Sequence, residues 1–323
     1  GVFVRRRASD GARYQFHYDT NGTVEIPDPH WQLKHDGIDP GVVFATAMTP
    51  GFYQENDPNL VYAGTWTNYS SGVFNGGNAR GSTVPNTSTL TFRIGGGTTG
   101  FSIFTSRLVG GANMEVCYTP QLPTVGTPVC VTEQTNIAAN VFTFGFATFG
   151  LNNKQLAPNQ ANDQEYVVTV RHTGTAGQSL FIEAIAVLGV PTTTLTAGTY
   201  DDNNPAIIYS PSSLWLTGTA AGYMGGTYHF GLKGGTLVQV RFTGSSITVF
   251  QLASPGLSSN VNACLIIPVT TGNQVQCANF SQNAGVTTFA TPITVYGFGF
   301  GTHDIVLENQ VGSVISVDSI QIR

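Results

Sequence analysis

The sequence repeats itself at a spacing of 147 residues, and this duplication limits the possible folds more than any other feature. Residues 49–62 align with residues 196–209, so that Tyr53, Pro58 and Tyr62 match Tyr200, Pro205 and Tyr209. Two cysteine pairs, each 13 residues apart, follow the same spacing: Cys117 with Cys130, and Cys264 with Cys277. The unit is far longer than a solenoid repeat, which indicates a duplicated domain.

The composition is typical of β structure. Only 10% of the residues are charged, against about 25% in an average protein. Strand-favouring Thr, Val, Phe and Tyr take the place of the helix formers Glu and Lys. Each copy is long enough to bury a core of its own. We therefore expect an all-β protein of two tandem β-sandwich (jelly-roll) domains, each with one disulfide, plus an N-terminal extension.

About eight short strand patterns per copy, separated by Gly, Pro and Asn turns, set the domain boundaries. We predict an N-terminal extension or arm at 1–48, a first β-sandwich at 49–189, a linker at 190–197 and a second β-sandwich at 198–323. The extension has no counterpart in the duplication. It either packs on the first domain or adds a strand to a neighbouring molecule by β-augmentation.

The alternation in one predicted strand, residues 237–242, indicates which side of the sheet is buried. Val238, Val240 and Phe242 form one side, while Leu237, Gln239 and Arg241 alternate with them on the other. An antiparallel sheet commonly has one face on the core and one in water. We therefore expect one buried and one wet face here.

Charge and hydropathy exclude two classes of partner. The net charge is −5, and the only cationic run is Arg5 to Arg7, which is too short for a nucleic-acid-binding face. No stretch approaches the roughly 18–20 apolar residues of a membrane-spanning helix. The chain opens with Gly and without a signal-peptide core, so we expect a mature or trimmed product.

An even number of locally paired cysteines indicates two disulfides and an oxidising compartment. Zinc is the alternative, but each domain would offer only two thiolates without a CxxC spacing. The sequence also has glycosylation-type sequons, at Asn21, Asn68, Asn86 and Asn279. We expect an extracellular or cell-surface location.

The second copy resembles a known family. Its motifs are NPAIIY at 204–209, Trp215, GYMGGTYH at 222–229, VRFTGSSITVF at 240–250, GTHDIVL at 301–307 and VDSIQI at 317–322. In this order they are similar to the galactose-binding-like jelly-roll modules of secreted bacterial surface proteins, which also occur beside glycoside hydrolases. The resemblance covers nearly all of 198–323 and is looser in the first copy, so it implies a fold more than an activity.

Carbohydrate binding would need exposed aromatic rings, because sugars stack their C–H faces on them. The candidates lie in Gly-rich segments after the first strand of each copy: Trp66, Tyr69, Trp215, Tyr223, Tyr228 and His229. The alternative is that Trp215 and Tyr228 cap the sandwich core, since aromatic residues dominate core packing.

The resemblance also implies a structural calcium ion between the first and last strands of a module. The matching positions are Asp201, Asp202 and Asp318 in the second copy, and Glu55, Asp57 and Glu183 in the first. Clustered oxygen ligands suit a hard cation. Asp and Asn runs are also ordinary turn formers, which is the competing explanation. We expect no other cofactor.

No residue pattern in the sequence indicates catalysis. Glycoside hydrolysis needs two carboxyl groups in one pocket, and a nucleophilic triad needs Ser or Cys beside His. The six His are scattered, and Glu165 stands where the second copy has His303. We therefore expect that the chain is not an enzyme.

Two functions remain. The first is a non-catalytic extracellular structural or adhesive protein that builds a surface or filamentous assembly and self-associates through its N-terminal arm. The alternative is a soluble tandem carbohydrate-binding protein that recognises glycans through loop aromatics. Low charge, Thr and Gly richness and the unduplicated arm favour the first.

Overall fold

The computed structural model describes residues 2–6, 13–17, 46–95, 97–121, 127–149, 151, 165–269, 272–310 and 313–323. Within this part the chain forms strands and three short 3₁₀ turns, with no α-helix. The all-β prediction is confirmed.

The strands are numbered in chain order. Those before residue 190 are β1 (Val2–Arg6), β2 (Arg13–His17), β3 (Gly51–Gln54), β4 (Val61–Ala63), β5 (Thr67–Ser70), β6 (Asn78–Ser82), β7 (Thr89–Ile94), β8 (Thr98–Arg107), β9 (Asn113–Pro120), β10 (Val129–Gln134), β11 (Val141–Phe149), β12 (Tyr166–His172), β13 (Leu180–Ile182) and β14 (Ala184–Gly189). Those after it are β15 (Thr194–Leu195), β16 (Gly198–Asp201), β17 (Ile208–Ser210), β18 (Trp215–Thr219), β19 (Thr227–Gly231), β20 (Leu237–Ala253), β21 (Val261–Val269), β22 (Gly272–Phe280), β23 (Thr288–Asn309), β24 (Ile315–Val317) and β25 (Ser319–Ile322). The 3₁₀ turns are Asn75–Gly77, Ser212–Leu214 and Met224–Gly226.

Strands β3 to β14 form the first sandwich. Its two main sheets have the orders β10-β9-β12-β7-β4 and β11-β8-β14-β3, and β13-β6-β5 forms a small third sheet. Inward side chains of both main sheets build the core, where Phe92 and Phe101 meet edge to face at 5.8 Å. Strand β7 alternates buried and half-buried residues, which is the period of two of a strand with one face on a core.

The second sandwich is built mainly on two long strands. The order is β16-β25-β20-β23-β21-β22, with β15 and β17 also paired to β20, and β18-β19-β24 forms a small sheet. The sequence predicts each long strand as two separate strands. In the structure the strands continue across a register shift between Gly244 and Ser246, because a β-bulge bends a strand without ending it.

Both disulfides form as predicted. Cys117 lies directly opposite Cys130 on β9 and β10, and Cys264 opposite Cys277 on β21 and β22, with Cα–Cα distances of 4.0 and 4.1 Å. Each one fastens an outer strand to its neighbour. A loop of this size is expected to stabilise the fold by about 3 kcal/mol.

The two sandwiches pack on each other through sheet faces. Leu188 of the first joins a fully buried cluster with Leu237, Ile266 and Val306 of the second. A Cβ on Gly145 would lie 2.3 Å from the Cα of Gly235, so the backbones are in direct contact.

This contact corrects the expectation of one wet face on residues 237–242. Leu237 is fully buried and Gln239 is 3% exposed, and the Gln239 amide donates to the Thr99 hydroxyl at 3.2 Å. Both sides of this part of β20 are covered because the first sandwich lies on the outer one.

The equivalent faces elsewhere in the duplication are more polar. Thr89 and Thr91 occupy the positions of Leu237 and Gln239 and are only half-buried. Gln321 and Arg323 likewise stand where the first sandwich has the buried residues Ala186 and Leu188. The apolar sheet-to-sheet contact is thus made once, between the two halves of one chain.

The N-terminal segment forms a hairpin. Strands β1 and β2 pair antiparallel, with Val2 opposite His17, and they pair with no other strand that the structure describes. In the predicted linker, Thr194 and Leu195 form a short parallel pairing with β20.

Candidate functional site

A glycine turn recurs at one end of each sandwich. In the second sandwich Gly225 and Gly226 have φ values of 63° and 79°, and in the first Gly76 and Gly77 have 69° and 83°. Residues other than glycine rarely adopt this left-handed region. The turn reverses the chain so that the residues on both sides of it share one surface.

A carboxylate holds each of these turns. Asp318 Oδ1 accepts a hydrogen bond from the Met224 backbone N–H at 2.8 Å, and Glu183 Oε2 accepts one from the Asn75 N–H at 2.8 Å. Both acids lie in the break between the last two strands of their sandwich. Hydrogen bonds to ionised acceptors are stronger than neutral ones, which suits this role.

A second carboxylate lies beside the turn in the second sandwich. Asp202 is fully buried, and its two oxygens meet the Thr227 hydroxyl at 2.6 Å and Nδ1 of His229 at 2.5 Å. His229 in turn stacks on Tyr209 with ring centroids 4.2 Å apart. The equivalent contact in the first sandwich is Arg80 over the Tyr62 ring at 4.3 Å.

The acidic groups of this region affect one another. Burial raises the pKa of Asp318, and the charges of Asp202 and Asp201 raise it further, although the Met224 hydrogen bond opposes them. Burial also raises the pKa of Asp201, with a contribution from Asp202. The structure therefore brings all three predicted second-copy acids together.

Two of these acids, Asp202 and Asp318, are arranged as hydrogen-bonded structural groups. Protein N–H and O–H donors point at Asp202 and Asp318, and among the described residues no three His, Cys, Asp or Glu side chains are placed to hold a metal ion. In the first copy Glu55 and Glu183 are buried, while Asp57 accepts from Asn59 in a tight turn. This donor set does not fit a calcium cage, and calcium binding stays a prediction.

The predicted tryptophans support the core. Trp215 is 7% exposed, packs against Tyr209 at 4.7 Å and donates its indole N–H to the Ser210 carbonyl at 3.3 Å. Trp66 packs likewise against Tyr62 at 5.0 Å and donates to a backbone carbonyl. The buried Trp215 presents no open ring face, and Asp202 and Tyr209 hold the His229 ring.

Other aromatic rings do form a surface beside the turn. Tyr223 stacks on Tyr228 with centroids 4.1 Å apart and planes 19° apart, Tyr228 lies 5.5 Å from Phe230, and Phe289 meets Tyr223 edge on at 5.1 Å. We call Tyr223, Tyr228, Phe230 and Phe289 the aromatic strip. Phe289 is 44% exposed, whereas Tyr223 is 8% exposed and supports the others from below.

Two glycines make room for this strip. A Cβ on Gly218 would lie 2.4 Å from the Tyr228 ring, and one on Gly222 would lie 2.6 Å from the Phe289 ring. Burial raises the pKa of Tyr223 to about 12, with contributions from Tyr228 and Asp318. The strip and the carboxylates are thus adjacent. Sequence reasoning found Tyr223 and Tyr228 but missed Phe230 and Phe289.

The first sandwich fills the equivalent place with its own side chains. Phe74 stacks on Phe181 at 5.6 Å, both are 8% exposed, and Phe142 packs on Phe74 at 6.3 Å. Tyr69 remains 39% exposed, lying against Phe181 at 5.0 Å. The second sandwich has Ser316 in place of Phe181, so the two aromatic clusters differ.

The sequons are exposed where the structure describes them, and two further acids, Glu165 and Asp304, are paired with arginines. Asn68, Asn86 and Asn279 are exposed, while Asn21 lies outside the described residues. Glu165 forms an ion pair with Arg93, and Asp304 forms a bidentate ion pair with Arg241 at 2.7 and 2.8 Å. Each of these carboxylates is therefore neutralised by an arginine. No described helix is long and apolar enough to cross a membrane.

Several solved structures are similar to the chain. A Paenibacillus xanthan lyase has 13% identity and a TM-score of 0.28 and is matched over 84% of this chain and 26% of its own. An exo-beta-1,3-galactanase from Phanerochaete chrysosporium has 18% identity and a TM-score of 0.26, over 46% of this chain and 38% of its own. The Agl-KA catalytic domain has 13% identity and a TM-score of 0.28, over 50% and 34%. No family model matches, and no curated protein is similar.

These similarities correct one expectation. The prediction that the chain is not an enzyme is wrong, since the structures to which the chain is similar include a lyase, a galactanase and a catalytic domain. The chain spans between a quarter and two fifths of the length of those three structures. Their activities remain theirs.

Proposed function

We propose that the chain is a secreted carbohydrate-binding protein whose second sandwich holds the glycan on the aromatic strip. The observation that carries this proposal is the stacked Tyr223–Tyr228 pair with Phe289, 44% exposed, at its edge. Aromatic rings that pack on the protein on one side and face solvent on the other lose little entropy on binding, so they form effective binding surfaces for sugars.

The surroundings of the strip supply the polar part of such a site. Asp201, which is half-buried, lies beside the glycine turn next to the strip, and carboxylate oxygens accept hydrogen bonds from sugar hydroxyls. An apolar surface with a few placed polar groups is the usual composition of a small-ligand site. The resemblance to galactose-binding-like modules agrees with this proposal, and the disulfides agree with an extracellular location.

The proposal places one glycan site on the chain, not two. In the first sandwich Phe181 covers the equivalent rings, and Phe74 is only 8% exposed. The first sandwich instead packs on the second through the buried cluster around Leu188 and Leu237. Its role is to support the second sandwich.

Substitution of the strip tests the proposal. Phe289→Ala and Tyr228→Ala should abolish retention on a glycan array and leave the melting temperature nearly unchanged. Tyr69→Ala, at the equivalent end of the first sandwich, is the matched control and should bind as the wild type does. An intact protein that binds nothing on the array would sink the idea.

A structural or adhesive role in a surface or filamentous assembly is the second candidate. The β1–β2 hairpin favours it, because two-stranded hairpins are marginal in water and gain stability on a larger sheet. Deletion of residues 1–26 should then convert assemblies into monomers in electron micrographs. Unchanged filaments, or monomers before the deletion, would remove this role.

A further inference from the structure

The most exposed aromatic side chains that the structure describes are Tyr296 and Phe300, at 77% and 79%. They lie on β23 away from the aromatic strip. Large apolar side chains exposed to this degree, close together on one element, commonly mark a contact surface.

A four-residue bulge in β23 presents these two rings. On β20 a single residue separates Gly244, which pairs with Gly301, from Ser246, which pairs with Tyr296. On β23 four residues, 297–300, fill the same interval. The chain therefore loops outward at this point, and such bulges re-aim side chains at functional places.

The bulge is anchored from inside. Phe298 packs against Phe242 at 5.8 Å and against His303 at 4.6 Å, between two glycines with φ values of 91° and 76°. Because the middle ring is half-buried against the core, the rings on either side of it are held outward. Tyr296 and Phe300 are thus displayed by a defined backbone.

The edge of β23 that leads to the bulge carries no partner strand. From Thr288 to Gly301 this strand pairs with β20 only, since β21 joins it from Asp304 onward, and no other described strand pairs there. Pro292 and the positive φ of Ala290 (50°) break the edge and disfavour an added peptide strand. This favours a ligand that is not a peptide.

The chemistry of this edge suits a neutral, hydroxyl-rich ligand. Residues 288–302 include no charged side chain. Thr294 is exposed two residues from Tyr296, and its hydroxyl is 2.9 Å from that of the half-buried Thr248 on the neighbouring strand. Ser246 stands opposite Tyr296. Hydroxyl groups both donate and accept, as sugar hydroxyls require.

Phe289 of the aromatic strip and Tyr296 lie on the same strand. Tyr296 is seven positions after Phe289, or at most about 23 Å at the rise of a β-strand. We propose that Tyr296 and Phe300 are a second contact for the glycan held by the aromatic strip, and that the ligand is an extended neutral polysaccharide lying along the free edge of β23. This inference rests on the proposed function and adds the class of glycan. The site would bind the interior of a polysaccharide chain and not its end.

Polymers and fragments of them distinguish this arrangement. The full chain is run in affinity gels containing dextran, β-1,3-galactan or xylan, and short oligosaccharides of each are titrated by calorimetry. Tyr296→Ala/Phe300→Ala should weaken polymer binding roughly 10- to 100-fold, as loss of a second linked contact does, and should leave oligosaccharide binding unchanged. Val109→Ala, 65% exposed on the first sandwich, is the control and should change neither.

Three outcomes of the affinity gels and the calorimetry would overturn the inference. Polymer binding unchanged in the double variant, but abolished by Phe289→Ala, would overturn this inference and keep the proposed function. Equal weakening of polymer and oligosaccharide would also overturn it, since both sites would then form one small pocket. Failure of the wild-type protein to bind any of the polymers or fragments would reject the proposed function and this inference with it.

Discussion

Asp318 and Met224 are joined by a hydrogen bond of 2.8 Å between a buried carboxylate and a backbone N–H. The first sandwich repeats this bond between Glu183 and Asn75, although the acid is one methylene longer and the turn residue is different. The duplication has thus kept a contact and changed the residues that make it. The contact fixes the turn beside which the aromatic strip lies.

Loss of the Asp318 carboxylate should destabilise the second sandwich. Asp318→Ala leaves the Met224 N–H without its acceptor, and because this hydrogen bond is only half-buried its loss is expected to cost about 1 kcal/mol. Asp318→Asn keeps one acceptor oxygen and should cost less. Urea denaturation of the two variants and the wild type measures both values. Equal free energies of unfolding for Asp318→Ala and the wild type would show that the bond contributes nothing.

Glu308 should make stability fall as the pH rises. It is 3% exposed in the contact between the sandwiches, and burial raises its pKa from 4.5 to about 7. The Glu133 charge on the first sandwich adds to this, while Arg107 opposes it. Because the folded pKa is above the unfolded one, the stabilisation is complete below pH 4.5 and is lost as the pH passes about 7.

Glu308→Gln is the test of this titration. The variant cannot ionise, so its free energy of unfolding should decline less than that of the wild type between pH 4.5 and 7. Denaturation at several pH values within that window compares the two. Parallel profiles would mean that Glu308 does not carry the pH dependence.

His303 should act in the opposite direction. It is 5% exposed, its Nδ1 has no hydrogen-bond partner among the described residues, and burial lowers its pKa below 6.5. A depressed pKa means that the unfolded chain binds the proton first, so stability is lost as the pH falls below 6.5. His303→Phe should flatten the acid side of the stability profile. An unchanged acid side would contradict this assignment.

The sequence predicts those features that depend on neighbours along the chain. The strand-favouring composition and the spacing of Cys117 and Cys130 both reflect local structure, and the all-β class and the disulfide that they predict are confirmed. The burial of Gln239 was not predictable in this way, because it depends on a sheet from the other sandwich. Phe289 was missed for the same reason: it reaches Tyr223 from a strand far along the chain.

Alanine substitutions at three glycines, two of them in the turn, distinguish the effect of backbone strain from that of steric conflict. Gly285→Ala adds a methyl group in open space and should change stability little. Gly226→Ala also meets no neighbour, but its φ of 79° is unfavourable for alanine and should cost about 1 kcal/mol or more. Gly225→Ala has both problems, since its Cβ would lie 2.4 Å from a carboxylate oxygen of Asp201.

The expected order of stability is therefore Gly285→Ala, then Gly226→Ala, then Gly225→Ala. Thermal unfolding ranks the three variants, and near-ultraviolet circular dichroism reports the packing of Tyr223 on Tyr228. Because the turn positions those rings, Gly225→Ala should lose both the aromatic signal and glycan retention. A Gly225→Ala protein with the stability and aromatic signal of Gly285→Ala would show that the glycine turn is not what holds the strip in place.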